Sequence, residues 1–189
     1  MRSTRAIDRY AYAHDASHFL LIPKEIEVAE DVHAISQLLS SSQSPLTFRS
    51  GGTSLSGQAS TDGLLVDTRK NFKKISVLDD GARVRVQPGV TVREVNAHLS
   101  RYGYKLGPDP ASETACTIGG VIANNSSGMV CGTEFNTYQT IESITIILPS
   151  GNIIDTSRFD SDEHLRLVEP RIYEGLIKLR DRIRSNSSS

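Results

Sequence analysis

The order of apolar patterns along this chain predicts an α+β protein built as two small lobes. Three observations carry that reading: a strand–helix–strand unit in the first third, two alternating strands around a tight turn in the middle, and later strands and helices without a repeating period. A doubly wound sheet would alternate strand and helix throughout, and this chain does not.

Taken in order, residues 1–18 are a polar lead-in whose conformation the sequence leaves open. The apolar run 19–22 reads as a strand ended by Pro23. From 29 to 39, Val32, Ile35, Leu38 and Leu39 recur at helical spacing, with Glu30 and Asp31 in the first turn where a helix dipole favours acids. Residues 45–48 and 64–67 are short apolar strands on either side of a glycine- and serine-rich loop. Residues 74–78 and 83–87 alternate around Asp79-Asp80-Gly81, a hairpin signature. Thr91 is a helix N-cap with Glu94 three residues on, the pattern of a capping box, and Gly103 ends that helix. The tract Gly107-Pro108-Asp109-Pro110 is too rich in proline for helix or central strand. Cys116 or Thr117 starts a short helix to Ala123, residues 141–148 and 153–155 are strands, and 163–183 is helical with a break at Pro170. The serine-rich end, 185–189, is expected to be disordered.

Two tracts carry chemistry. The decapeptide Arg49-Ser50-Gly51-Gly52-Thr53-Ser54-Leu55-Ser56-Gly57-Gln58 has three glycines and four hydroxyl residues, so it can turn sharply and expose successive N–H and O–H donors, as a diphosphate requires. It lacks the lysine of a nucleotide-triphosphate loop, and no Gly-x-Gly-x-x-Gly is present. Composition alone is equally compatible with a surface connector. The second tract, residues 107–128, is again dominated by small and hydroxyl residues.

Bulk composition excludes several classes. Lys+Arg 21 against Asp+Glu 22, without long runs of one sign, leaves no electrostatic footprint for nucleic acid. No apolar window approaches a membrane span, and Met1-Arg2-Ser3-Thr4 leads into polar sequence, so a cytoplasmic protein is expected. Two cysteines are too few for an iron–sulfur or four-cysteine zinc site, and His14 and His18, four apart, lack an evident third ligand; no metal site is expected.

Five pieces occur in order: Thr-Ser-Leu-Ser-Gly-Gln at 53–58, Gly-Pro-Asp-Pro-Ala-Ser at 107–112, Ile-Gly-Gly at 118–120, Asn-Asn-Ser-Ser-Gly-Met at 124–129 and Leu-Pro-Ser-Gly at 148–151. Together they resemble the flavoprotein family of vanillyl-alcohol oxidase and D-lactate dehydrogenase, with its PCMH-type FAD-binding domain, and above all those D-lactate-dehydrogenase-like members that carry an iron–sulfur region further on. The resemblance covers residues 8–184 and implies a small βαβ lobe at 19–70, a larger lobe with an antiparallel sheet and helices at 71–184, and FAD between them. It implies cofactor contacts from Ser50, Gly51, Gly52, Thr53, Ser54, Gly57 and Gln58 at the pyrophosphate; from Pro108, Asp109, Ala111 and Ser112 on the flavin side; from Thr117, Ile118, Gly119, Gly120, Asn125, Ser126 and Gly128 along one wall; and from Ile154 at adenine. Arg49 either adds positive charge there or closes a flanking salt bridge.

Some relatives tether the flavin to a histidine where Thr53 stands, so FAD is expected to be held non-covalently. Cys116 stands three residues before Gly119, where a second, cysteinyl tether would need four. The groups that grip and deprotonate a 2-hydroxy acid come, in the family, from a later domain, so this chain alone is expected to be inactive on D-lactate, and any iron–sulfur cluster would belong to the rest of a longer parent. The alternative is a non-catalytic module that binds another phosphorylated ligand, or a truncated fold without flavin.

Overall fold

The computed structural model describes residues 1–186. Its first part is a four-stranded mixed sheet. Strand β1 (Arg2–Ser3) leads into helix α1 (Ala6–Ala11), then β2 (Glu25–Val28), helix α2 (Val32–Ser41), β3 (Leu46–Arg49) and β4 (Leu64–Asp67). The spatial order is β1-β2-β4-β3, with β2, β4 and β3 parallel and β1 antiparallel on the β2 edge. Central β4 is buried at all four positions, which is why Leu64, Leu65 and Val66 form an unbroken apolar run. Because β3 and β4 are parallel neighbours, the chain must cross the whole sheet between them, and residues 50–63 do so without a helix.

The strand expected at 19–22 is not there. Phe19, Leu20 and Leu21 are exposed and irregular, and the strand that pairs is Glu25–Val28, which turns Ile26 and Val28 inward. A four-residue apolar run does not determine strand position; alternation against a buried partner strand does.

Beyond β4, β5 (Ile75–Leu78) and β6 (Arg83–Val86) pair antiparallel around the expected turn, with Ile75 opposite Val86 and Val77 opposite Val84. Helix α3 (Val92–Leu99) starts on the expected capping box: the Thr91 hydroxyl accepts from the Glu94 N–H while the Glu94 carboxylate accepts from the Thr91 N–H. The four apolar residues of the hairpin pack on a core of Val90, Val92, Val95, Leu99, Cys116, Ile118 and Val121. Helix α4 (Ile118–Ala123) begins after Thr117, and helix α5 (Thr137–Thr140) follows.

The described chain divides into two compact units, 1–35 with 41–141, and 36–40 with everything from Glu142 onward. The division is therefore not at residue 70. Bonds that cross that position explain why: Asn71 Nδ2 donates to Ala29 O at 2.8 Å and the Ser50 hydroxyl to Pro88 O at 3.4 Å, so the chain on either side of 70 is one body. The second unit holds the antiparallel pair β7 (Thr145–Ile147) and β8 (Ile153–Asp155) and helices α6 (Ser161–Val168) and α7 (Pro170–Ser185). Beyond β4, the described strands pair antiparallel as two separate ladders, β5–β6 and β7–β8. Of the expected disordered tail, Ser185 ends α7 and Asn186 is its C-cap; residues 187–189 lie outside the described residues. No helix among the described residues is long and apolar enough to cross a membrane.

Candidate cofactor-binding site

The first tract leaves the end of β3 and meets the second directly. A Cβ on Gly51 would collide with the carbonyl oxygen of Ala115 and lie 3.2 Å from Cys116 Cα, so only glycine lets the two backbones approach this closely. Pro88 completes the junction: its carbonyl accepts from Gly119 N at 3.0 Å and from the Ser50 hydroxyl at 3.4 Å. Residues 50–51, 88 and 115–119, distant in sequence, form one surface.

Its donors are concentrated in the loop. Among the described residues, the backbone N–H groups of Gly51, Gly52, Thr53 and Ser54 donate to no protein acceptor, although all four residues are half-buried. Gly52 adopts φ +65°, the left-handed conformation found in backbone nests, where successive N–H groups can converge on an anion. Further along, the Ser54 hydroxyl bonds the Gln58 side chain and accepts from the N–H groups of Ser56 and Gln58, at 3.2 and 3.3 Å. Ser54 and Gln58 therefore shape the loop with their side chains.

In the second tract the positions separate by role. The Thr117 hydroxyl is buried, the residue only 1% exposed, and has no hydrogen-bond partner in the protein. Ile118 is core, and Gly119 packs against Pro88. Gly120 is exposed, with nothing within 4 Å of where a Cβ would stand. Pro108 is buried, Ser112 half-buried and Ala111 on the surface. The Asp109 carboxylate is committed to the chain itself: it accepts from Val130 N and Cys131 N, each at 3.2 Å, and Gly128 lies so close to it that a Cβ there would overlap Asp109. Desolvation works to raise its pKa, but those two N–H groups outweigh it and hold the carboxyl below the usual range. Asn125, at φ +51°, accepts from Tyr138 N at 2.8 Å, and the Ser126 carbonyl accepts from Thr137; both fasten α4 to α5. Ile154 is buried in the second unit.

Sequence reasoning missed Pro88 and Tyr12, and left Arg49 between two roles. Arg49 makes no salt bridge among the described residues; its Nη1 donates to the Tyr12 carbonyl at 3.0 Å and the guanidinium lies 5.5 Å from the Tyr12 ring centroid. The lead-in segment that carries Tyr12 had no local signal at all.

The FAD binding domain family matches residues 24–157. This chain belongs to that family. It is 29% identical over 161 residues to D-2-hydroxyglutarate dehydrogenase of Pantoea ananatis, covering 82% of this chain and 16% of that protein. Against D-lactate dehydrogenase of Archaeoglobus fulgidus it is 31% identical over 156 residues, 77% of this chain and 34% of the relative. The chain thus spans between about one sixth and one third of the length of these curated relatives. Among solved structures, 6-hydroxy-D-nicotine oxidase from Arthrobacter nicotinovorans superposes with a TM-score of 0.70 at 20% identity, over 92% of this chain and 37% of that one. A chitooligosaccharide oxidase gives the same TM-score at 19% identity, over 82% of this chain and 34% of that one. The fold is that of an FAD-binding oxidase domain.

Proposed function

We propose that this chain binds one FAD non-covalently and forms the flavin-binding part of an oxidoreductase acting on a small 2-hydroxy acid. The observation that carries it is the run of four unpartnered N–H groups at 51–54, held against the 115–119 segment by the close approach at Gly51. Those donors suit the two charges of a pyrophosphate, which is the part of FAD without a hydrophobic surface of its own. The orphaned Thr117 hydroxyl and the open face of Gly120 fit a ligand lying along α4, with Ile118 and Gly119 supporting from below. Asp109, Asn125, Ser126 and Gly128 shape that wall through the bonds they make to their own chain. Pro108, Ala111 and Ser112 belong to the flavin side of this reading, and Ile154 to the adenine side.

FAD, when bound, supplies the acceptor for a hydride. The chain's own residues bind and orient it. A thioether tether is disfavoured because Cys116 is 6% exposed and burial raises its thiol pKa, so little thiolate forms. Substrate class rests on relatives named as D-2-hydroxyglutarate and D-lactate dehydrogenases. The groups that handle the hydroxy acid, and any iron–sulfur cluster, we assign to polypeptide outside these residues. The cytoplasm is the compartment we propose, supported by two buried free thiols, Cys116 and Cys131. Acid precipitation of the flavin-loaded protein should leave all yellow colour in the supernatant. Colour in the pellet refutes non-covalent binding, and a protein that neither carries nor takes up flavin refutes the function.

A further inference from the structure

The family match begins at residue 24, yet residues before it pack against both ends of the Gly/Ser loop. Arg49 packs its guanidinium against Gly52, with Nη2 2.7 Å from where a Cβ would be, and is itself held by the Tyr12 carbonyl and ring. Tyr12 is in turn anchored, its hydroxyl donating to the Asp67 carboxylate at the end of β4. Asp15 accepts from Ser17 N at 2.8 Å through one carboxylate oxygen, while the other is sealed from solvent without a hydrogen bond. Desolvation of Asp15 is outweighed chiefly by its bonds from Ser17, which hold the carboxyl below its usual range, and the Ser17 hydroxyl in turn accepts from Phe19 N at 3.2 Å, so Asp15 sets the turn that carries Phe19. Phe19 lies beneath Gly57, which has φ +79°; a Cβ there would stand 2.7 Å from the ring.

Residues 12–19 therefore touch the loop at both ends, Tyr12 at Arg49 and Phe19 at Gly57. The intervening residues 51–54 have no backbone hydrogen bonds of their own among the described residues, and an anion site of bare N–H groups keeps its shape only if something else fixes the backbone. We infer that residues 12–19 form a bracket that holds the Gly/Ser loop in its anion-binding shape, with Asp15, Phe19 and Arg49 as positioning residues. The ligand half of this inference rests on the function proposed above. The apparent affinity of a site that is competent only a fraction of the time falls by that fraction, so loosening the bracket weakens diphosphate binding without removing any donor.

The test uses the full chain and the variants Asp15→Asn and Phe19→Ala. Hydrogen exchange in the FAD-free protein should show the hydrogen-bonded loop amides, those of Ser56, Gln58 and Ser60, exchanging at least about tenfold faster in both variants, with β4 and α3 protected as before. Affinity for ADP, which carries the diphosphate without the flavin, and for FAD should fall by about the same factor. Riboflavin, which has no phosphate, should not respond. Unchanged exchange at those amides overturns the bracket, as does uniform loss of protection through β4 and α3, which would mean a role in whole-fold stability. If Phe19→Ala does not fold, Asp15→Asn decides alone. A wild-type chain that binds neither ADP nor FAD refutes the proposed function, while the exchange arm still judges the bracket.

Discussion

Gly51→Ala is the substitution that most sharply tests how the two tracts meet. Its Cβ would be pressed into the Ala115 carbonyl oxygen and would also sit 3.2 and 3.3 Å from Cys116 Cα and Ala115 C, all main-chain atoms with no flexible end to swing aside. The loop and the 115–119 segment must separate. Overpacking of this kind costs about 1–3 kcal/mol. For a chain of this size that lowers the unfolding midpoint by roughly 2–12 °C. Separation also moves the 51–54 donors, and losing one charge-assisted bond, worth about 1.5–3 kcal/mol, weakens FAD by roughly 10- to 150-fold. Differential scanning fluorimetry of the FAD-free protein and a flavin fluorescence titration measure the two effects. Gly120→Ala is the contrast, since that glycine lies inside α4 with nothing near its Cβ position. Helix propensity alone should stabilise it by roughly 0.5–1 kcal/mol, so the midpoint rises while FAD, if it lies on that face, binds more weakly. A Gly51→Ala protein with both values unchanged, or two alanines that behave alike, would refute the reasoning.

Two further outcomes follow from single contacts. Thr91→Ala removes the hydroxyl that accepts from Glu94 N at 3.1 Å, a capping loss of about 1 kcal/mol, and should lower the unfolding midpoint by about 2–4 °C; an unchanged midpoint would show that the cap does not set the start of α3. The Asp109 carboxyl has a folded pKa below the ordinary value, so its hold on the 128–131 loop is fully present above the unfolded carboxylate range and is lost as pH falls through the depressed folded value. Exchange protection at Val130 and Cys131 should therefore persist at pH 5 and vanish only below about pH 3.9, and Asp109→Asn should remove it at every pH.

Much of the fold was legible where a local rule and the final packing agree. The Thr91–Glu94 box, the Asp79-Asp80-Gly81 turn and Gly103 at φ +77° are determined within a few residues, and each appears where the sequence puts it. The first sheet was harder, because residues 19–22 and 25–28 compete as strands and the choice depends on β4, which only the folded chain supplies. The site followed the same division. Glycine and hydroxyl content marked both tracts, whereas Pro88, Arg49 and the 12–19 segment act through contacts between positions some 30 to 40 residues apart that leave no periodic trace.

The glycine signature itself merges two physical roles that the structure separates. Gly51 and Gly119 are glycines because another part of the chain occupies the space of a Cβ, Ala115 in one case and Pro88 in the other. Their neighbours Gly52 and Gly120 are not crowded by main chain: Gly52 is required for its positive φ beneath the Arg49 side chain, and Gly120 faces open space. In each Gly-Gly pair, then, the first residue joins the two tracts and the second shapes the exposed surface. A family pattern read as letters assigns all four to the cofactor. Physically, only the second of each pair has an open Cα face for a ligand; at the first that face is filled by another part of the chain, so Gly51 can offer a ligand its N–H alone, and substitutions at the first should act on binding through stability and position.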